Sequence, residues 1–175
     1  MRLFIALDFS KQVKDKLFSI GKQLKACSTG GRFLEPEKLH LTLVFLGECN
    51  EEQTEAVKKV MDEIRFKPIP IVFDRISHFK RRDGDIYWAG IKSEKSLINL
   101  QRKLESVLED AGFLPESHIF TPHVTLARDV RGTLTPWQIS EFGESVKSIK
   151  LMRSWYRENK LTYTTIYERK YNDGD

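Results

Sequence analysis

The chain has 175 residues, 40% hydrophobic and 31% charged, a composition that excludes a disordered or membrane-embedded protein and suits one folded body with a core. Twenty-nine Lys and Arg against 25 Asp and Glu leave a net charge of +4. That mild basicity accommodates an anionic substrate without demanding nucleic-acid binding.

Arg2 to Phe9 is rich in β-formers and apolar on both faces, which predicts a central strand. Its apolar run, Leu3 to Leu7, stops at Asp8, far short of a membrane span or a secretion signal. Ser10 is placed to cap a helix whose stripe is Val13, Leu17, Ile20 and Leu24. Gly30-Gly31 breaks it, and Arg32 to Leu34 is a short extended piece. Lys38 to Leu46 is the next expected strand, closed by Gly47. Asn50 and Gln53 form a capping box for a second helix with the stripe Ala56, Val57, Val60, Met61 and Ile64.

Pro68 and Pro70 end that helix and open an extended stretch, Ile71 to Phe79. Asp83-Gly84 signals a hairpin, with Ile86 to Lys92 returning. Ser93 is the expected cap of a third helix that turns Leu97, Leu100, Leu104, Val107, Leu108 and Ala111 inward and ends at Gly112. His123 to Arg128 reads as a strand, Thr135 to Phe142 as a short helix, and Val146 to Trp155 with Leu161 to Arg169 as a closing strand pair. Residues 172–175 are a polar, loose tail. This order predicts an α+β fold with largely antiparallel sheets and helices packed outside, with no linker dividing residues 1–175. Cys27 and Cys49 lack metal or redox spacing, so neither a disulfide framework nor a zinc site is expected, and the predicted setting is the cytoplasm.

The chemistry lies in a repeated phrase. His40-Leu41-Thr42-Leu43 and His123-Val124-Thr125-Leu126 stand 83 positions apart. In a strand, residues i and i+2 share a face, so each phrase offers one imidazole and one hydroxyl together, with aliphatic side chains opposite. Two such strands across a cleft suit displacement at phosphorus. One imidazole removes a proton and the other supplies one, while two hydroxyls donate to the non-bridging oxygens. A single histidine on a strand is more often structural; duplication in the same register with matching threonines argues otherwise. A two-histidine metal site lacks an evident third ligand.

These residues resemble the 2H phosphoesterase superfamily, defined by two His-x-Thr/Ser motifs flanked by apolar residues, and within it the bacterial and archaeal RNA 2′,3′-cyclic phosphodiesterases (also described as 2′-5′ RNA ligases). The opening strand Arg2 to Asp8, the block Leu39 to Gly47, the phrase Tyr87-Trp88-Ala89-Gly90, Gly112-Phe113, the block Phe120 to Arg128, and Ser154, Leu161 and Tyr163 carry the likeness. It implies a bilobal α+β fold of two antiparallel sheets around a central cleft, with pseudo-twofold symmetric lobes. It implies hydrolysis of RNA 2′,3′-cyclic phosphate ends, tRNA-like ends among them, to 2′-phosphates, with reversible 2′-5′ joining by the same groups. His123 would be the proton acceptor and His40 the proton donor, with Thr42 and Thr125 holding phosphate. No cofactor, metal or membrane is implied, and a monomer is expected.

Arg128 matches a phosphate-contacting arginine of the family, yet strict alternation places it with Val124 and Leu126, away from His123. Glu116 to Ile119 is less basic than the family pattern; His118 is expected in a loop and His78 on a sheet face or the surface. Lys80-Arg81-Arg82 and the set Lys147, Lys150, Arg153, Arg157 and Lys160 are candidate phosphate-steering groups, and Phe9, Phe33, Tyr87 and Phe120 candidate base-stacking rings, although each ring suits a core better. Two other readings stay open: a 2H enzyme on a 2′-5′ oligonucleotide or small cyclic nucleotide, and a non-catalytic RNA-binding module.

Overall fold

A computed structural model describes residues 1–114, 119–132 and 134–174. The elements run β1 (Arg2–Leu7), α1 (Lys11–Ala26), β2 (Gly30–Phe33), β3 (Leu41–Glu48), α2 (Glu51–Glu63), β4 (Ile69–Phe79), β5 (Asp85–Ile91), α3 (Lys95–Asp110), β6 (His123–Arg131), β7 (Trp137–Val146), β8 (Ser148–Arg157) and β9 (Lys160–Lys170). Two antiparallel sheets result. One has the order β3-β1-β8-β9 and the other β2-β6-β5-β4-β7. The α+β class and the two-sheet architecture are as the sequence implies.

Both sheets bury one face in a continuous apolar cluster. Leu3, Ile5 and Leu7 of β1 meet it from the four-stranded sheet, and Ile71, Phe73, Val124 and Leu126 from the five-stranded one. Each such side chain contributes about 1.5–3 kcal/mol on leaving water. The helices close this side: α1 packs on β2, β6 and β7, α2 on β9, and α3 on α2 and β3. Their apolar stripes are largely the expected ones, with Val13, Leu17 and Leu24, then Val57, Val60 and Met61, then Leu97, Leu100, Leu104 and Leu108 buried; Ala111, expected inward, caps the end of α3 and is exposed. On the opposite face of the four-stranded sheet, Phe4, Ala6 and Met152 form a second small cluster with Tyr163 packed against it. Among the described residues no helix is long and apolar enough to cross a membrane.

Local signals explain the ends. Ser10 Oγ accepts from Val13 N, and Asn50 with Gln53 completes a capping box. The cap of α3 is Glu94 rather than Ser93; its carboxylate accepts from Ser96 N at 3.0 Å. Gly112, at φ 86, takes the left-handed conformation that ends α3.

Three expectations need correction. Residues 137–146 form strand β7, not a helix: Trp137 and Ile139 are half-buried in alternation, then the register against β4 slips between Phe73 and Arg75 and moves the inward set to Phe142, Glu144 and Val146. The slip turned a two-residue period into a spacing that imitates a helix. Val146 therefore closes β7, and β8 starts at Ser148. Third, a single turn at Pro36–Lys38 precedes β3, so His40 sits immediately before the strand and not inside it.

Candidate active site

The two motif strands lie in different sheets, yet Cα atoms of β3 and β6 approach within 8 Å. This crossing brings the motif strands near each other, and the Arg128 charge acts on both His40 and His123. His40 and His123 are both half-buried, and Thr42 and Thr125 share their faces and their partial exposure.

Each imidazole is held in the same way. His40 Nδ1–H donates to the Lys38 carbonyl at 2.8 Å, and His123 Nδ1–H to the Thr121 carbonyl at 2.6 Å. A carbonyl only accepts, so the proton of the neutral ring sits on Nδ1 and the lone pair on Nε2. Neither Nε2 has a hydrogen-bond partner among the described residues. Two aromatic rings flank each imidazole. Phe4 and Tyr163 lie 4.9 Å from the His40 ring, while Phe79 and Trp88 lie 5.2 and 5.7 Å from that of His123.

A matched pair of β-bulges shapes the rest. In β3, Ala6 pairs Thr42 but Ile5 pairs Val44, so Leu43 and Val44 both turn inward. In β6, Trp88 pairs Thr125 but Tyr87 pairs Ala127, so Leu126 and Ala127 both turn inward. The extra residue reverses the parity beyond it. Phe45 and Arg128, each five residues after its histidine, thereby return to the cleft face, and both are exposed. Simple alternation placed Arg128 on the wrong side; the bulge corrects it. Arg128 has no ion-pair partner among the described residues, and its charge is felt by His40, His123 and Tyr163 alike.

Burial sets the protonation. It pushes His40 down to about 4, against the Lys38 hydrogen bond and Asp8, which favour the cation, and together with Lys14 and Arg128, which oppose it. His123 is lowered by burial too, opposed by the Thr121 hydrogen bond and reinforced by Arg128. Burial would raise the Asp8 carboxyl, but Lys14 at 2.5 Å and Lys150 at 2.7 Å outweigh it and hold Asp8 below the usual carboxylate range. The cleft is thus lined by two neutral imidazoles and a net positive surround, a place made for an anion.

The other candidates separate. Phe9 and Tyr87 are core residues, and Phe33 and Phe120 are partly buried against the core, so none stands free to stack a base. Lys80, Arg81 and Arg82 are exposed at the β4–β5 tip, beyond the far end of β6 from His123. Lys150 pairs with Asp8, and Arg153 lies over Trp155 at 5.6 Å. His78 stacks on Tyr87, with Nε2 3.7 Å from the Asp85 carboxylate. His118 lies outside the described residues. No group of three His, Cys, Asp or Glu side chains among the described residues converges as a metal site. Reasoning from the sequence missed Phe4, Phe79 and Phe45. Finding them needed cross-strand register, which no single strand displays.

The chain is similar to known proteins in sequence and in fold. A model of the LigT like phosphoesterase family matches residues 7–88. An Archaeoglobus fulgidus protein named RNA 2′,3′-cyclic phosphodiesterase is 32% identical over 88% of this chain and 91% of its own. A Thermotoga maritima protein of the same name is 31% identical, covering 99% and 97%. A crystal structure of E. coli LigT complexed with 3′-AMP superposes with a TM-score of 0.87 at 24% identity, covering 98% of both chains.

The lowered histidines couple this site to stability. Unfolded His40 titrates near 6.5 and folded His40 near 4, so between these values the unfolded chain binds the extra proton. The folded state is at full advantage above pH 6.5 and loses on the order of 3 kcal/mol from His40 as pH falls toward 4. Thermal melts of the protein should therefore drop more steeply from pH 7 to pH 4.5 than those of His40→Gln. A constant gap between the two across that range would contradict the assignment.

Proposed function

The chain belongs to the LigT like phosphoesterase family, and we propose that within it the protein hydrolyses the 2′,3′-cyclic phosphate ends of RNA to 2′-phosphates by two-histidine acid–base catalysis. One observation carries the reading. Two imidazoles from repeated motifs present unpartnered Nε2 atoms to a cleft in which Arg128 is felt by both.

The steps follow from that arrangement. Thr42 and Thr125 donate to the non-bridging oxygens, and Arg128 neutralises the charge that builds there. His123 Nε2 takes a proton from water as its oxygen attacks phosphorus. The bond from phosphorus to the ribose 3′ oxygen breaks, and protonated His40 delivers a proton to that oxygen. The products are a 2′-phosphate and a 3′-hydroxyl. Both free imidazoles are mostly neutral near pH 7, so the anionic substrate also prepares the acid. Its charge favours the imidazolium of His40 and so loads the proton to be delivered. If a 5′-hydroxyl replaces water, the same step makes a 2′-5′ linkage, so joining of RNA ends uses the same groups. Proton transfer from water to His123 and from His40 to the leaving oxygen calls on no metal, and the cytoplasm is the setting we infer for this RNA chemistry.

Incubation with EDTA and a short RNA ending in a 2′,3′-cyclic phosphate should give the 2′-phosphate isomer. His40→Ala and His123→Ala should each reduce turnover by roughly 10²–10⁴ with melting curves that stay cooperative. A 3′-phosphate product, or near-normal rates in either variant, would refute the roles. RNA bound without turnover would favour a binding module instead, and selective cleavage of 2′-5′ oligonucleotides a different 2H substrate.

The profile of kcat/KM against pH reports the two histidines of the free enzyme. Both are lowered by burial, so the bell should be centred below pH 6.5, with the kcat profile displaced to higher pH by the bound anion. A kcat/KM maximum above pH 6.5 would contradict this.

A further inference from the structure

Five large apolar side chains are prominently exposed among the described residues, and Tyr156, 72% exposed, is one of them. Its place is set by register. Arg2 pairs Ser154, Phe4 pairs Met152 and Ala6 pairs Lys150, without a slip between β1 and β8. Ser154 pairs Tyr163 and Tyr156 pairs Leu161 across β8 and β9. The period of two therefore places Arg2, Phe4, Met152, Ser154, Tyr156 and Tyr163 on one face. That is the cleft face, because Phe4 and Tyr163 flank His40. Tyr156 stands one side-chain repeat beyond Tyr163, about 7 Å further from the histidine along the strand.

The hairpin that carries Tyr156 is braced. Trp155, on the opposite face, donates its Nε1–H to Thr164 Oγ1 at 2.9 Å and lies under Arg153. Glu158 and Asn159 turn the chain at φ 48 and 61, the left-handed pair of a tight two-residue hairpin. Tyr156 is thus presented on a stiff ribbon while its own ring touches little. Cationic groups border the strip: Arg2 stands in the same cross-strand row as Ser154 and Tyr163, and the charges of Arg2 and Arg128 both act on the Tyr163 hydroxyl. Arg2 has no ion-pair partner among the described residues.

We propose that this strip, running from Tyr163 past Arg2 to Tyr156, binds the nucleotide immediately upstream of the reacting end, with the base stacked on Tyr156 and its phosphate beside Arg2. The inference rests on the phosphodiesterase reading and adds to it a preference for single-stranded RNA over a mononucleotide. An exposed aromatic on an antiparallel sheet, next to arginine and continuous with a phosphate cleft, has the chemistry that holds unpaired bases. A cyclic mononucleotide ends at the cleft and does not reach Tyr156.

The test compares a 2′,3′-cyclic mononucleotide with an RNA hexamer ending in a 2′,3′-cyclic phosphate. Tyr156→Ala should raise KM for the hexamer by about 10-fold, the effect of losing one stacked base, and leave kcat/KM for the mononucleotide unchanged. Tyr156→Phe should restore the hexamer value, because the ring and not the hydroxyl does the stacking. Equal losses on both substrates, or no loss on the hexamer, would overturn the proposal. Binding of a hexamer ending in a 2′-phosphate, followed by fluorescence anisotropy, reads the strip apart from catalysis. If the wild type turned over neither substrate but bound this hexamer more tightly than Tyr156→Ala does, the catalytic reading would fall and the strip would stand. If both bound it equally, the strip would fall.

Discussion

One hydrogen bond, made twice, governs the cleft: Nδ1–H of each imidazole to the carbonyl two residues before it. It orients the ring and fixes the tautomer together, and so leaves Nε2 as the nitrogen with a free lone pair. A histidine free to rotate would offer either nitrogen and average its reach over several positions. Locked rings hold their geometry before substrate arrives, which is where an enzyme gains most from preorganisation. The turn before β3 and the segment before β6 provide the two carbonyls, so irregular backbone ahead of each strand orients both rings.

Burial and charge act on this frame in opposite directions. Aromatic walls around each histidine remove water and favour the neutral ring, while Asp8 favours the cation at His40. Asp8 is itself held by Lys14 and Lys150, which offset much of its charge. Arg128, exposed and near both histidines, opposes their protonation. The empty site therefore disfavours positive imidazoles, and an anion reverses that bias on entry. On the proposed mechanism, substrate binding and loading of the acid are one electrostatic event. The matched bulges in β3 and β6 give the same framework two different outcomes: Phe45 at one site, Arg128 at the other. On the proposed mechanism, two like motifs thereby serve unlike roles.

Much of this was legible in the chain, and the exceptions share a cause. The helices were readable because period and stripe agreed at each, and at two of them the caps Ser10 and Asn50 with Gln53 agreed as well. The paired His-x-Thr phrases were readable because both motifs lie in short extended segments where period two holds. Arg128 and β7 were not, because a break in register re-aims every later side chain and single-strand patterns carry no mark of it. Tyr87 shows a different limit. An aromatic residue that suits a base-stacking role also suits a core, and its hydroxyl instead donates to the Leu134 carbonyl at 2.8 Å. Which aromatic faces the cleft depends on partners far away in the sequence, as Phe4 and Tyr163 show at His40.

The account stands on the convergence of two Nε2 atoms upon one phosphorus. A crystal structure with a nucleoside 2′-phosphate product bound addresses it most directly. The account predicts one phosphate between the rings, with His123 Nε2 within about 3 Å of a non-ester phosphate oxygen and His40 Nε2 within the same reach of the freed 3′ oxygen. A phosphate held by one histidine alone, or seated away from both, would contradict it.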